Sequence, residues 1–203
     1  MINRITIQAY RVGLVFEKGK LINVLEAGSY WIFGNKQVHI YEMKQSFVAP
    51  IELTILLQNE KLASLLEVIE IADNEIALYY VNSMFKEVLT TGRYAFWKGY
   101  LDNTFTKIDL SKVEITEAVP VALLENIKVR AYTRKYQVLN FEKGLLFVNG
   151  AFVKELAAGN YYFWNNAIPI EVKNVDIRQQ QMEIAGQELL TKDKATLRIN
   201  FFV

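Results

Sequence analysis

Residues able to do chemistry are few in this sequence and far apart. The one histidine, His39, stands in QVHIYEM (37–43), and there is no cysteine. A zinc site built on it would need three carboxylate ligands, an unusual set, so His39 reads as a strand residue with a structural or solvent-facing role. Glu67 and Glu70, three apart on a predicted helix, form a like-charged surface pair and not a tuned acid and base. Asp176 and Arg178 lie two apart on a predicted strand and so share a face. They read as a structural ion pair, the more so because Asp109 holds the place of Asp176 one repeat earlier. No Ser-His-Asp set, Gly-x-Ser-x-Gly elbow, phosphate-binding loop or dinucleotide fingerprint occurs. The sequence therefore predicts no catalytic residue, no cofactor and no metal ligand, and a protein that is not an enzyme.

Its pattern goes into repetition instead. LEAGSYWIF (25–33), LTTGRYAFW (89–97) and LAAGNYYFW (156–164) spell one phrase three times. Gly28, Gly92 and Gly159 lie 64 and 67 residues apart, too far for a thin solenoid repeat. Fifteen residues before each stands a small residue, Gly13, Ala77 or Gly144, opening an apolar run. Asn149-Gly150 is a strong hairpin signal, with Lys18-Gly19 and Asn82-Ser83 at the matching places. One unit then reads as a hairpin, a glycine turn at positive φ, a strand bearing the aromatics, and a further alternating strand.

Three such β-modules are expected, with two helices between them. NEKLASLLEVIE (59–70) sets Leu62, Leu65, Leu66 and Ile69 on one helical face, with Asn59 as its expected N-cap. TEAVPVALLEN (116–126) predicts a short helix capped by Thr116, with Pro120 late for a first-turn proline. The fold class expected is α+β, predominantly antiparallel β. Module 1 spans 1–58, a helix and module 2 span 59–115, and a short helix, module 3 and the start of a further domain span 116–203.

The chain has 203 residues, 52% hydrophobic and 22% charged, enough to bury a real core. Its net charge of +1 supplies no electrostatic footprint for nucleic acid, which is not expected as a partner. The N-terminal MINRITIQAYRVGLVF alternates like a strand and does not resemble a signal peptide. The longest apolar run, as in AVPVALL (118–124), is far short of the ~20 residues that span a bilayer. A cytoplasmic protein, or one peripheral to the cytoplasmic membrane, is expected.

The last third carries a family resemblance. EKGLLFVNGAFVKELAAGNYYFW (142–164) and VDIRQQQMEIAGQELLTKDKATLRIN (175–200) resemble the opening of the SPFH or band 7 family of stomatins, prohibitins and flotillins, the bacterial slipins in particular. The matching residues are Leu156, Gly159 and Tyr161, then Val175, Asp176 and Arg178, then Thr191, Lys192 and Asp193. The resemblance implies that module 3 leads into a truncated SPFH-like domain. It also implies a membrane-associated scaffold whose homo-oligomerisation needs a later coiled coil, with peripheral membrane association belonging to a longer parent.

The function expected is thus a non-enzymatic scaffold or assembly module of a slipin-like protein. The alternative is a free-standing β-repeat adaptor that binds a protein or peptide along sheet edges. The repeat aromatics Tyr30, Trp31, Tyr94, Trp97, Tyr161 and Trp164 alternate along their strands, so they cannot all face one core. Module cores and inter-module packing are their expected use, with a partner surface or a lipid interface as the other readings. KVRAYTRKY (128–136) reads as a solvated strand edge with a weaker case for anionic headgroups. The last strand, if unpartnered, is expected to be a pairing edge.

Overall fold

Positive φ at Lys18 and Gly19, at Asn82 and Ser83, and at Asn149 and Gly150 marks a two-residue turn at the tip of three hairpins. The computed structural model describes residues 2–179 and 183–202, with backbone alone at 183–187, 189 and 197–202. The hairpins are β2 (Arg11–Glu17) with β3 (Lys20–Leu25), β7 (Glu75–Val81) with β8 (Met84–Leu89), and β12 (Glu142–Val148) with β13 (Ala151–Leu156). Each slips register at the same place, between Val15/Phe16, Tyr79/Tyr80 and Leu146/Phe147. A bulge kept at one repeat position is a built feature of the strand.

After each hairpin the chain turns at a glycine into β4 (Gly28–Phe33), β9 (Gly92–Trp97) or β14 (Gly159–Trp164). These strands leave the hairpin and pair with the strand before it: β1 (Ile2–Ile7), β6 (Leu66–Ile71) and β11 (Thr133–Val138). The fifth strand of each module, β5 (Gln37–Glu42), β10 (Asn103–Asp109) or β15 (Ile170–Asp176), returns to the first hairpin strand. A module is therefore a two-stranded sheet and a three-stranded sheet. In module 1 Ile7, Val15 and Leu25 are buried together with Ile5, Tyr30, Ile32 and Val38 packed on them. In module 2 the corresponding cluster is Ile69, Ile71, Ala77, Tyr79, Leu89 and Phe96. The small residue that opens each hairpin gives room to a first-strand side chain. A Cβ on Gly13 would lie 2.9 Å from Ile7 Cδ1, and one on Gly144 would lie 2.7 Å from Val138 Cγ2.

Two linkers precede modules 2 and 3 and repeat as well. The first holds α1 (Leu53–Leu56) and α2 (Glu60–Leu65), the second α3 (Val121–Leu124) and α4 (Ile127–Arg130). Asn59 Oδ1 accepts from Leu62 N–H at 3.0 Å, and Asn126 Oδ1 accepts from Lys128 N–H at 3.0 Å, so each second helix starts on a capped asparagine.

The expected α+β class is corrected here. Among the described residues strand accounts for 54% and helix for 10%, in four short pieces, which makes a β-rich fold of small paired sheets and not an α+β one with an SPFH-like domain. The expected helix over 59–70 ends at Leu65, because Leu66–Ile71 pairs antiparallel with β9 in the order Leu66↔Trp97 to Ile71↔Gly92. Its leucine spacing fits a helix, but Val68, Ile69 and Ile71 favour the pleated sheet. Glu67 and Glu70 consequently lie on a strand, three apart and on opposite faces. The other expected helix starts after Pro120 and not at Thr116.

The chain divides into two compact units, Met1–Thr133 with Trp164–Asn166, and Arg134–Phe163 with Ala167–Val203. In the second, β16 (Glu183–Leu190) and β17 (Thr196–Phe202) form an antiparallel ribbon. The last strand thus has a partner along one edge. No helix among the described residues is long and apolar enough to cross a membrane.

Candidate functional site

Two residues of the repeated phrase build a corner. Gly28, Gly92 and Gly159 have φ of 154°, 146° and 155°, a region where residues with a Cβ are strained. The tyrosine two positions on folds back over each: its ring Cε2 would lie 3.3, 3.6 or 3.8 Å from an added Cβ. Tyr94 Oη donates to Thr90 O at 3.1 Å, and Tyr161 Oη donates to Ala157 O at 2.9 Å, each four residues upstream. The glycine lets the chain turn, and the hydroxyl satisfies a carbonyl the turn leaves open.

A carboxylate closes each module. Asp109 Oδ1 accepts from Ser111 N–H at 2.9 Å and from Asn74 Nδ2 at 3.2 Å. Asp176 Oδ1 accepts from Arg178 N–H at 2.9 Å, and its two oxygens also take the guanidinium, which lies over the Phe141 ring at 4.2 Å. Arg178 donating to the carboxylate holds Asp176 below the usual range, and hydrogen bonds from Ser111 do the same for Asp109. In module 1 the position is Glu42, paired with Lys44 and Arg11 at 2.9 Å each. Val175, beside Asp176, pairs with Lys143 across the sheet.

Thr191, Lys192 and Asp193 form the turn between β16 and β17. Thr191 Oγ1 accepts from Ala195 N–H at 3.0 Å, and Lys194 N–H donates to Thr191 O at 2.9 Å with φ of 65° at Lys194. The Thr191 side chain, hydrogen-bonded to Asp193, lowers that carboxyl.

His39 lies on β5 opposite Leu14 with its ring edge-on to Phe16 at 5.4 Å. Among the described residues no group of three His, Asp or Glu is placed to hold a metal. Glu70 pairs with Arg93 instead of with Glu67. The basic run 128–136 is dispersed: Lys128 donates to Lys86 O, Arg134 to Ile168 O, and Lys135 lies over Tyr162.

The aromatic that ends the phrase separates the modules. Trp97 and Trp164 are 2% and 0% exposed, whereas Phe33 at the same position is 57% exposed. Trp97 is buried with Phe47, Leu53, Leu56 and Leu62 of the first linker and with Val12, Leu14 and Val24 of module 1, its indole N–H left without an acceptor. Trp164 donates its backbone N–H to Val113 O at 3.0 Å and its indole N–H to Glu117 at 3.2 Å, both in the second linker. Around Phe33 the sheet β1–β4 turns out Ile2 and Trp31 with Arg4. Sequence reasoning named Trp31 but missed Ile2, Arg4 and Phe33. The signal was in the alignment of the repeats, which sets Phe33 at the position of Trp97 and Trp164.

No family model, no curated protein and no solved structure matches this chain.

Proposed function

We propose that the chain is a non-enzymatic assembly module, the β-repeat part of a slipin-like scaffold. The observation that carries it is how the repeated residues are used. Tyr94, Tyr161, Asp109, Asp176 and Thr191 each spend their polar atoms closing a turn, and Trp97 and Trp164 are buried where a module meets a linker. Side chains committed this way build a frame. The Val-Asp-x-Arg and Thr-Lys-Asp phrases support the slipin-like attribution through the same turns. The test is vesicle flotation and light scattering of the product of the whole native reading frame. Flotation on anionic vesicles with a defined oligomer is expected. A monomer that stays at the bottom of the gradient overturns the slipin-like reading.

A free-standing adaptor is the second reading, favoured by the exposed apolar face around Phe33. It predicts that residues 1–203 alone retain partner binding, which a binding assay on this chain decides.

A further inference from the structure

The two-stranded sheets of modules 1 and 2 are equivalent in the repeat but not in surroundings. In module 2 the outward residues Leu66, Val68, Ala95 and Trp97 lie under the first linker. Phe47 bridges Ala95 at the open edge of β9, donating its N–H to Ala95 O at 2.9 Å. At Trp164 the second linker again supplies the edge partner, Val113 O. Module 1 presents the same face bare: Ile2 is 62% exposed, Trp31 60% and Phe33 57%. Among the described residues no strand pairs with the other edge of β4. Arg4 lies over Trp31 at 5.9 Å, as Lys135 lies over Tyr162 at 5.6 Å in module 3.

We propose that this face docks a segment of another polypeptide built like the chain's own linkers. Its chemistry is an extended, acidic-apolar stretch that pairs along β4 near Trp31 and Phe33. A short apolar helix and then a short amphipathic one, joined at an asparagine, follow and cover the rings. The repeat shows the fit: apolar residues of the first linker occupy the equivalent face of module 2, and the second linker supplies the equivalent edge at Trp164. Arg4 favours acidic residues in the extended part, such as Glu114 and Glu117 in the second linker.

A second copy of the chain is a poorer occupant. Docked head to tail it would offer the three-stranded sheet of module 3, since the same sheet of module 1 lies behind the first linker. Val12 and Val24, buried there, correspond to Lys143 and Glu155 in module 3, which are exposed and paired at 3.3 Å. Lys173 and Glu171 pair beside them at 3.7 Å. Burying such pairs against apolar rings costs desolvation. On that sheet the ion pairs stand beside Phe147, Phe152 and Val175, whereas the outward face of β1–β4 in module 1 carries Arg4 as its one charge among apolar side chains.

The proposal deepens the assembly reading and rests on it. A synthetic peptide of residues 110–132 is titrated against the full chain while tryptophan emission is followed. Trp97 and Trp164 are already buried, so a blue shift reports Trp31. We expect a saturable blue shift that Phe33→Asp weakens about tenfold or more, the loss of a central aromatic anchor. Trp31→Phe should abolish the optical signal while calorimetry still detects binding. Both sites are exposed, and far-UV circular dichroism checks that the variants stay folded. No shift, or a shift unchanged by Phe33→Asp, overturns the proposal. A concentration-dependent dimer of the chain alone that Phe33→Asp abolishes also overturns it, by making a second copy the occupant. Either failure leaves the flotation result standing, because flotation reads the whole frame on vesicles and not this face.

Discussion

At the scale of single residues, the repeat can be tested by what each module tolerates. Ala77 shows that a methyl fits behind the first-strand side chain when that side chain is Ile71. Gly13→Ala meets only the flexible end of Ile7, so the ring of neighbours can give way. Gly144→Ala meets Val138 Cγ2 at 2.7 Å and Leu156 Cβ at 3.2 Å, atoms close to the backbone that cannot swing aside. Urea denaturation should show Gly144→Ala destabilised by about 1–3 kcal/mol, the usual range for overpacking, and Gly13→Ala by clearly less. Equal effects would mean the two modules do not share this packing. Asp176 supplies a pH test. Its folded carboxyl is held below the ordinary 3.8 by Arg178, so the stabilisation is present above that value and fades as pH falls through the lower folded one. Asp176→Asn should therefore be less stable than the native chain at neutral pH, with the gap closing in acid. A gap constant across the acid range would assign the effect to something other than the ion pair.

At the scale of elements, the linkers are where sequence and structure diverge most. Hairpins were legible because turn chemistry is local: Asn149-Gly150 states its own conformation. The phrase Leu-x-x-Gly-x-Tyr was legible as a turn for the same reason, although the tyrosine's bond to a carbonyl four residues upstream was not. The pairing of β4 with β1 and of β9 with β6 joins strands more than twenty residues apart, and periodicity carries no record of a partner. That gap explains the misread helix: without β9 in view, Leu62, Leu65, Leu66 and Ile69 fit a helical face. It also explains the α+β class, since each strand lost to a helix raised the helical share. The exposed face of β1–β4 was not legible, because exposure depends on what lies over a sheet. The linkers make their own prediction. Asn59→Ala and Asn126→Ala each remove a cap and should cost about 1 kcal/mol. Leu62→Ala and Val129→Ala open a void at fully buried positions, with Leu62→Ala in the range of about 2–5 kcal/mol. Thermal melts that leave the Asn59→Ala chain unchanged would contradict the capped hinge.

At the scale of the whole molecule, one design recurs with a different covering. Each module has a two-stranded sheet, which in module 2 lies under the first linker and in module 1 is exposed at Ile2, Trp31 and Phe33. The same aromatic position thus serves packing twice and recognition once. The most direct test is hydroxyl-radical footprinting of the intact chain, read by mass spectrometry at residues 31, 33, 97 and 164. Fast oxidation of Trp31 and Phe33 with Trp97 and Trp164 protected is the predicted result. Labelling of Trp97 or Trp164 as fast as Trp31, or protection of Trp31 and Phe33 in the isolated chain, would contradict it.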